Sequence, residues 1–497
     1  MKGIGIVWAA VTLASFILTA SVWAQPSQRK SVVRPVPVAA KEEKVAAIEP
    51  GQDDLWHKTK EERESARSKV LSLLKGPLTV NGAIQIALLN NRKLQTTFEE
   101  VGVARAELLE AVMIPNPRVN FDALIPSPSD EAVKYSWNVA QDFVQILMIP
   151  LKKKIAEERI RIAELRVSLE ILELIEQVKK AYYQVQADQQ LLARLALIQE
   201  TNAAALDLAQ KQYKAGNVTD LRLMTMQSAY SQGRLDLAVA ENELREHRED
   251  LTRLMGLWGR EINWTIKGDL PVPPDSDPVM NHLESLAVSN RPDLQVAHRN
   301  LSAVVEALGL TKTYRWIPVL EIGFSGERET DNALLLGPSI SFELPIFNQG
   351  RPRIAKGEAE LRKAENQFEA LAVEIRSEVR TLRDKLIGSK KIARFYHDDL
   401  LPARLKIVNQ ALLEYNAMQL GAFELFTLKA SELEAERGYI QASQNYWMTR
   451  ASLERAVGGS LYRVPHKQGP AEKSTPSRAV STDRMSQKIT PKHRSKQ

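Results

Sequence analysis

The sequence contains one long internal duplication, and this feature limits the possible folds more than any other. Ala87–Gln95 reappears as Ala287–Gln295, and the match continues in order until Gly256 pairs with Gly458. The offset stays between 199 and 202 residues throughout. Solenoid repeats are much shorter, roughly 20–50 residues. The duplication therefore predicts a half-molecule built twice, here assigned to residues 77–260 and 277–461.

The N-terminus has the pattern of a secretory signal peptide. An apolar stretch from Ile4 to Ala20 is followed by Val22-Trp23-Ala24, which predicts cleavage after Ala24. The chain has no cysteine, so neither a disulfide nor a lipidated cysteine is available. Residues 25–76 are predicted to form an extension with one short helix around Lys58–Arg67.

The net charge of +6 is concentrated at the C-terminus. Residues 465–497 contain eight lysines and arginines against Glu472 and Asp483, a balance of +6, so the rest of the chain is close to neutral. A neutral body without a basic stripe argues against nucleic-acid binding. The segment 462–497 is predicted to be a disordered basic tail.

Hydrophobic periodicity predicts the same order of elements in each half: helix, strand, strand, long helix, tip, returning helix. Apolar residues at a three-four spacing, with charged residues between them, indicate coiled-coil-like helices. The predicted helices are Thr79–Val112, Leu151–Gln212 and Asp220–Met255 in the first half, and Pro278–Thr313, Ile354–Glu414 and a last helix ending at Gly458 in the second. Thr79 is the expected N-cap of the first helix.

Four segments alternate apolar and polar residues with period two, as strands with one face of each kind do. They are Arg118–Ala123, Tyr135–Phe143, Leu320–Ser325 and Ser339–Leu344. Such a sheet would suit lipid on one face and water on the other. In lipid its unpaired edges would be costly, and four strands are too few to close a barrel, so several copies would have to combine. The alternative is a half-buried sheet of a soluble protein.

Several motifs resemble those of the TolC-type outer membrane efflux proteins, over about residues 77–461. They are Leu78-Thr79 with Asn90-Asn91, Pro115-Asn116-Pro117, Tyr213-Lys214-Ala215-Gly216 and Leu344-Pro345-Ile346-Phe347-Asn348. Pro-Asn-Pro and Leu-Pro-Ile-Phe-Asn are most similar to the CzcC/CusC branch, which is associated with heavy-metal efflux. The chain departs from the family pattern in lacking a cysteine for acylation and in having Met418 where the tip motif has glycine.

The resemblance implies an α+β membrane protein. Its expected form is a homotrimer with a long α-helical barrel in the periplasm and a transmembrane β-barrel of four strands per protomer in the outer membrane. The implied partners are a periplasmic membrane-fusion adaptor and an inner-membrane pump, most simply of the RND type. The implied function is the exit duct of a tripartite efflux system. Two alternatives stay open: an exported coiled-coil structural or adaptor protein, and the outer membrane component of type I secretion.

The resemblance also suggests functional residues. Carried onto this chain, the periplasmic gate falls on Glu424 and its repeat partner Arg222, predicted to form a ring of opposite charges. The adaptor-docking tips are predicted at Ala215, Gly216, Asn217, Ala417, Met418 and Gln419. The aromatics predicted for the lipid interface are Phe121, Tyr135, Trp137, Phe324, Phe342 and Phe347.

Signatures of catalysis or of tight metal binding are missing from the sequence. The seven histidines are scattered, with no His-Glu-x-x-His, and neither a phosphate-binding glycine loop nor Gly-x-Ser-x-Gly occurs. The sequence therefore predicts no cofactor, no resident metal and no enzymatic activity. A passive conduit is the expectation, with metal ions, small toxic compounds or polypeptide as open candidates for its cargo.

Overall fold

The computed structural model describes residues 55–125, 133–266, 268–275, 280–316, 319–328, 333–343 and 345–459. The predicted signal peptide, residues 25–54 of the extension and the predicted basic tail lie outside the described residues. The predicted short helix of the extension is α1 (Lys60–Leu73). Thr59 caps it in a capping box with Glu62, in which each side chain bonds the other residue's backbone N–H.

The first predicted helix of each half is in fact two helices, so this prediction was wrong. In the first half they are α2 (Val80–Asn90) and α3 (Arg92–Val112). Asn91 between them is extended (ψ 120°), and its side chain accepts a bond from the Leu94 N–H, which caps α3. The predicted cap at the start of α2 is confirmed, because the Thr79 hydroxyl accepts from the Gly82 N–H at 3.1 Å.

The second half has the same break for a different reason. Its helices are α7 (Leu283–Asn290) and α8 (Pro292–Thr313), with the extended residue Arg291 between them (ψ 123°). Proline disfavours the helical conformation in the residue before it, so Pro292 ends α7 and begins α8. The first two residues of the predicted range, 278 and 279, lie outside the described residues.

The longest helix of the first half is continuous. After the short α4 (Phe143–Leu147), α5 runs over Ile149–Lys214, 66 residues and so about 99 Å at ~1.5 Å per residue. It contains no glycine, and its one proline, Pro150, lies in the first turn, where no helical N–H bond is lost. The returning helix α6 covers Asp220–Leu254.

The corresponding helix of the second half is interrupted, which the sequence prediction of one helix over 354–414 missed. It consists of α9 (Arg351–Arg394), a π-helical segment (Phe395–Leu400) and α10 (Leu401–Asn416). Pro402 explains the interruption, because a proline ring collides with the carbonyl four residues earlier in a regular α-helix. A wider π turn relieves this collision. The returning helix α11 covers Ala422–Ala456.

The long helices pack in a defined order. Helix α5 packs against α6 and α11, and α11 in turn packs against α9 and α10. At mid-height the short helices cover this layer, with Ile86 and Leu94 buried against Val178 and Leu251 in the first half. In the second half Leu294 is buried against Ile375, Val379 and Leu453. Among the described helices, none is both long enough and apolar enough to span a membrane.

Two pairs of residues that match in the duplication come together in the structure. Gly256, just past α6, has φ 66°, and a Cβ there would lie 2.6 Å from the carbonyl oxygen of Asn90. Gly458, just past α11, has φ 80°, and its Cβ would lie 3.0 Å from the carbonyl carbon of Asn290. Only glycine combines this conformation with so close an approach, which explains its presence in both halves.

The segment between the halves is fastened to three long helices. The side-chain amide of Gln186 on α5 donates to the Asp269 carbonyl at 2.8 Å. The Trp447 indole on α11 donates to the Pro271 carbonyl at 2.7 Å, and Lys390 on α9 donates to the Asp275 carbonyl at 3.0 Å. This segment therefore ties the two halves together.

Four strands form one antiparallel sheet in the order β1 (Arg118–Leu124), β2 (Lys134–Asp142), β3 (Leu320–Arg328), β4 (Leu334–Phe342). The four predicted strands are confirmed, although β4 begins five residues earlier than its pattern suggested. Strand β2 belongs to the first half and β3 to the second, so their pairing joins the duplicated halves within one sheet.

Candidate functional site: the sheet faces and the helical tips

The register of the sheet separates apolar from polar side chains across all four strands. Phe121 lies opposite Trp137, and Trp137 opposite Gly326; one step along, Val139 lies opposite Phe324. Facing residues of neighbouring strands share a face, so the apolar sets of the strands form one continuous surface. It holds five of the six predicted interface aromatics: Phe121, Tyr135, Trp137, Phe324 and Phe342. The sixth, Phe347, lies beyond β4 in a turn and is fully exposed.

Aromatic rings cover gaps on this apolar face. A Cβ on Gly326 would lie 2.5 Å from the indole of Trp137, so the ring lies directly over that glycine. The rings of Trp137 and Phe324 have their centres 6.1 Å apart, as do those of Phe121 and Tyr135. Such pairs add roughly 0.5–1.5 kcal/mol each beyond the area that they bury. They also fix the register of the strands.

The opposite face carries ion pairs and hydrogen bonds. The Arg118 guanidinium lies 2.6 Å from the Glu321 carboxylate, and Lys134 is paired with Glu327. The Asn138 amide donates to the Ser339 hydroxyl at 2.8 Å, reaching from β2 to β4 across β3. The polar face is thus wettable over its whole width. Within the described residues, β1 and β4 each pair on one side only, so the chain leaves two free sheet edges.

The tip that joins α5 to α6 is a regular helix stop. Gly216 takes the left-handed conformation (φ 78°), and the Asn217 N–H donates to the Gln212 carbonyl at 2.9 Å. The Gly216 N–H donates to the Tyr213 carbonyl at 2.9 Å, which completes a Schellman motif. The Thr219 hydroxyl then caps α6 by accepting from the Arg222 N–H.

The tip that joins α10 to α11 repeats this geometry with a methionine in place of the glycine. Met418 has φ 59°, and the Gln419 N–H donates to the Glu414 carbonyl at 2.8 Å. The Met418 N–H donates to the Tyr415 carbonyl at 3.0 Å. The side chain of Met418 is 95% exposed. The substitution therefore leaves the shape of the tip unchanged and adds a protruding apolar side chain.

Part of this chain matches a known protein family, and most of it aligns with a characterised protein. Residues 83–257 match the family described as "Outer membrane efflux protein". The chain is 20% identical over 389 residues to the cobalt-zinc-cadmium resistance protein CzcC of Cupriavidus metallidurans, covering 77% of this chain and 90% of that protein. The chain is a relative of the TolC-type outer membrane efflux proteins. The family resemblance inferred from the motifs is thereby confirmed.

Two solved structures, of CusC and of CmeC, share the fold. CusC superposes with a TM-score of 0.58 at 18% identity, covering 77% of this chain and 92% of CusC. The CmeC outer membrane channel of Campylobacter jejuni superposes with a TM-score of 0.64 at 13% identity, covering 76% of this chain and 85% of CmeC. CmeC is described as an outer membrane channel, and the CusC structures are described in terms of transmembrane channel formation.

In this chain the two predicted gate residues occupy equivalent places in the duplication. Arg222 lies in the first turn of α6 and Glu424 in the first turn of α11, and both are exposed. Among the described residues the Arg222 guanidinium does not pair with Glu424 of the same chain. It lies over the ring of Phe423, 4.5 Å from the ring centre. Sequence patterns do not indicate this cation–π contact, because it joins two segments about 200 residues apart.

A second group of charged residues, near mid-height, was also missed by the sequence interpretation. Arg291 is 8% exposed at its side chain; it lies 2.7 Å from Asp293 and is also paired with Glu378. Arg455 on α11 bridges Glu378 at 2.6 Å and Glu176 on α5 at 2.9 Å. This network crosses from one half of the molecule to the other. One feature of the sequence could have indicated this charge network: Arg291 occupies the position that Asn91 has in the first half.

Burial and charge partners act in opposite directions on the acidic groups of α5. Burial raises the pKa of Glu176, but bonds from Lys180 and the charge of Arg455 outweigh it and hold the pKa below its usual value. Burial dominates for Asp188 and raises its pKa, although His247 lies 2.7 Å away and opposes the shift. Among the described residues, no group of three or more His, Cys, Asp or Glu side chains is arranged to hold a metal ion.

Proposed function

We propose that three copies of this chain form the outer-membrane exit duct of an efflux system. The observation that carries this proposal is the sheet: one face is predominantly apolar, the other is predominantly polar, and among the described residues two edges are free. A closed barrel is the only way for such a sheet to lie in lipid without unpaired backbone groups, each of which costs several kcal/mol. Three sheets of four strands would give a twelve-stranded barrel with a wet interior.

The long helices would form the periplasmic tunnel of this duct. They carry charged residues along their length, so water and not lipid is their medium. Helix α5 alone would reach about 99 Å from the sheet. In the packing order of the helices, α6 and the α9–α10 pair stand at the two ends of the layer in each chain. Contact between these end helices of neighbouring copies would close a ring of three.

The narrow end of the tunnel would lie at the tips, with Arg222 and Glu424 forming the gate. Both residues stand at matching positions of the two hairpins; Arg222 forms the contact with Phe423, and Glu424 is the next residue after Phe423. An exposed charge pair contributes ~0–1 kcal/mol, so the closed state would be held weakly. A gate held this weakly can be opened by a partner that binds the open state better.

The two tips would be the docking points of a periplasmic membrane-fusion adaptor, which in turn would connect to an inner-membrane pump of the RND type. Both tips contain the same Schellman motif, so each chain would present two turns of similar shape to the adaptor. Heavy-metal cations are the first candidate for the cargo, because the relative CzcC is described as a cobalt-zinc-cadmium resistance protein. The cargo would pass through as a substrate, without chemistry in the duct.

Reconstitution tests the proposal directly. The mature protein, purified in detergent, should migrate as a heat-modifiable trimer and should give ion conductance in planar lipid bilayers. A monomer that stays in solution without detergent and gives no conductance would overturn it. For the cargo, the gene should restore growth on cobalt, zinc or cadmium to a host lacking its own metal exit duct. Rescue against organic toxicants alone would reassign the cargo.

A further inference from the structure

A basic groove with an exposed tryptophan lies at mid-height of the first half, away from both the sheet and the tips. Its volume is about 440 Å³. The lining side chains that matter for binding are Lys60, Arg63, Glu64, Arg67, Arg92 and Trp258. Helix α1 forms one wall, the start of α3 forms another, and the segment after α6 contributes the tryptophan.

Trp258 is not needed by the fold. Its side chain is 71% exposed and follows the Gly256 turn that ends α6. The matching turn in the second half ends α11 at Gly458 in the same way, yet the residue at the matching position is Ser460. Helix α1 likewise precedes only the first half. Large exposed aromatic surfaces that the fold does not require commonly mark binding sites.

The charges of the groove leave positive groups available for a ligand. Glu261 at the rim lies 3.1 Å from Arg67, and Glu64 lies 3.9 Å from Lys60. Among the described residues, no carboxylate lies within ion-pair distance of Arg63 or Arg92. Arg63 uses its Nε to donate to the Thr59 carbonyl, which holds the guanidinium in place with its remaining N–H groups free. Guanidinium groups bind carboxylates in a two-pronged geometry.

We infer that this groove binds an acidic saccharide, namely a pyranose unit with a free carboxylate in a cell-wall glycan strand whose muramic acid carries no stem peptide. The C–H face of a pyranose ring packs on an indole ring, and the carboxylate would bind Arg63 and Arg92. The assignment to the cell wall rests on the proposed function, which puts the sheet in the outer membrane. The groove lies beyond the end of α6, whose 35 residues measure about 52 Å from the tip. That leaves a similar distance to the sheet end of α5, which is out of reach of lipid headgroups.

Isothermal titration calorimetry on the full mature trimer in detergent tests this inference. The probe is the tetrasaccharide of alternating N-acetylglucosamine and N-acetylmuramic acid. The neutral tetramer of N-acetylglucosamine is the first control ligand, and a phosphorylated glucosamine disaccharide is the second. We expect the muramic acid probe to bind, with the neutral tetramer at least ~5-fold weaker because it lacks the charge. Raising the salt concentration should weaken the binding.

Substitutions inside and outside the groove show whether the ligand binds there or elsewhere on the surface. Trp258→Ala should weaken binding about 10-fold or more, and Arg92→Ala about 3–10-fold, as expected for a buried aromatic anchor and a charge partner. Trp316→Ala is the matched control, since Trp316 is 49% exposed but its ring is covered by Arg315. It should change binding less than ~2-fold.

Three results would overturn the inference: no binding of the muramic acid probe, equal binding by Trp258→Ala and the unsubstituted protein, or tighter binding of the phosphorylated disaccharide. Bilayer conductance, measured on the same preparation, distinguishes failure of the glycan-binding inference from failure of the proposed channel function. A conducting trimer without glycan binding would refute the groove alone. A preparation that binds glycan but does not conduct would refute the duct alone.

Discussion

Met418 takes the same left-handed backbone conformation as Gly216, its partner in the duplication 202 residues earlier, with φ of 59° against 78°. A non-glycine residue in this region costs roughly 1–2 kcal/mol. The strain persists because the Schellman hydrogen bonds of the second tip require that conformation. Strain of this kind is often kept where a side chain is needed. The exposed methionine thus distinguishes the second helical tip from the first.

We expect Met418→Gly to stabilise the second tip and Gly216→Met to destabilise the first, each by about 1 kcal/mol. Hydrogen exchange of the amides in each tip measures this, because ~1.4 kcal/mol corresponds to a tenfold change in opening. Each variant serves as the control for the other, since the hairpin that is not altered should exchange as before. Changes of the same sign in both tips would contradict a backbone origin.

The two faces of β4 predict opposite tolerance for charge at neighbouring positions. Ile340 lies on the apolar face, and Ser341, the next residue, lies on the polar face. Ile340→Arg should cost about 2–4 kcal/mol if that face meets the bilayer, whereas Ser341→Arg should be tolerated. The yield of heat-modifiable trimer in the outer membrane fraction measures the difference. Equal yields for the two variants would mean that neither face meets lipid.

Local patterns in the sequence predicted the sheet well, because the alternation of apolar and polar residues is set by strand geometry alone. Val119 and Phe121 already indicated the apolar side of β1, and the register then aligned them with Val139 and Trp137. The N-cap at Thr79 followed from residue type in the same way. Features determined by neighbours within a few residues were therefore accessible to the sequence.

Features that depend on distant partners were not accessible. The Arg222–Phe423 contact and the bond from Arg455 to Glu176 each join segments that are hundreds of residues apart. The break at Asn91 was missed because apolar spacing continues across it, although the Asn-Asn pair is a typical cap. The π-helical segment follows from Pro402, whose position inside a periodic stretch was a warning that the prediction of a continuous helix did not use.

The contact between Arg222 and Phe423 predicts how substitutions change the open probability of the proposed gate. Arg222→Ala and Phe423→Ala should raise the open probability in bilayers by similar amounts, because an exposed cation–π pair contributes about 0.5–1 kcal/mol. The double variant should then show little further change. Phe423→Tyr, which keeps the ring, is the control and should behave like the unsubstituted channel.

Glu424→Ala tests the predicted charge ring. Its effect on conductance should be non-additive with that of Phe423→Ala, because in the proposed ring the Glu424 carboxylate and the Phe423 ring share the Arg222 guanidinium as a partner. Coupling of this kind is expected for groups with a shared partner. If neither Glu424→Ala nor Arg222→Ala alters conductance or its voltage dependence, the tip residues do not form the gate.

The mid-height charge network predicts a loss of stability in acid. The pKa of Glu176 is lowered in the folded protein, so this carboxylate contributes stability that is complete above its unfolded pKa, ~4.3. That contribution is lost as the pH falls through the lower folded pKa. Glu176→Gln should therefore lower stability by about 2 kcal/mol at pH 7, the size of a hydrogen bond to a charged group.

The difference between Glu176→Gln and the unsubstituted protein should begin to shrink as the pH falls below the unfolded pKa, ~4.3, and should vanish only below the lowered folded pKa, where the carboxylate is protonated in both states. Apparent melting temperatures of the detergent-solubilised protein between pH 3 and pH 7 measure this. Glu157→Gln is the control, since Glu157 forms only an exposed pair with Lys153 at 3.9 Å, worth ~0–1 kcal/mol. A Glu176→Gln deficit that stays constant down to pH 3 would show that lost packing, and not lost charge, destabilises the variant.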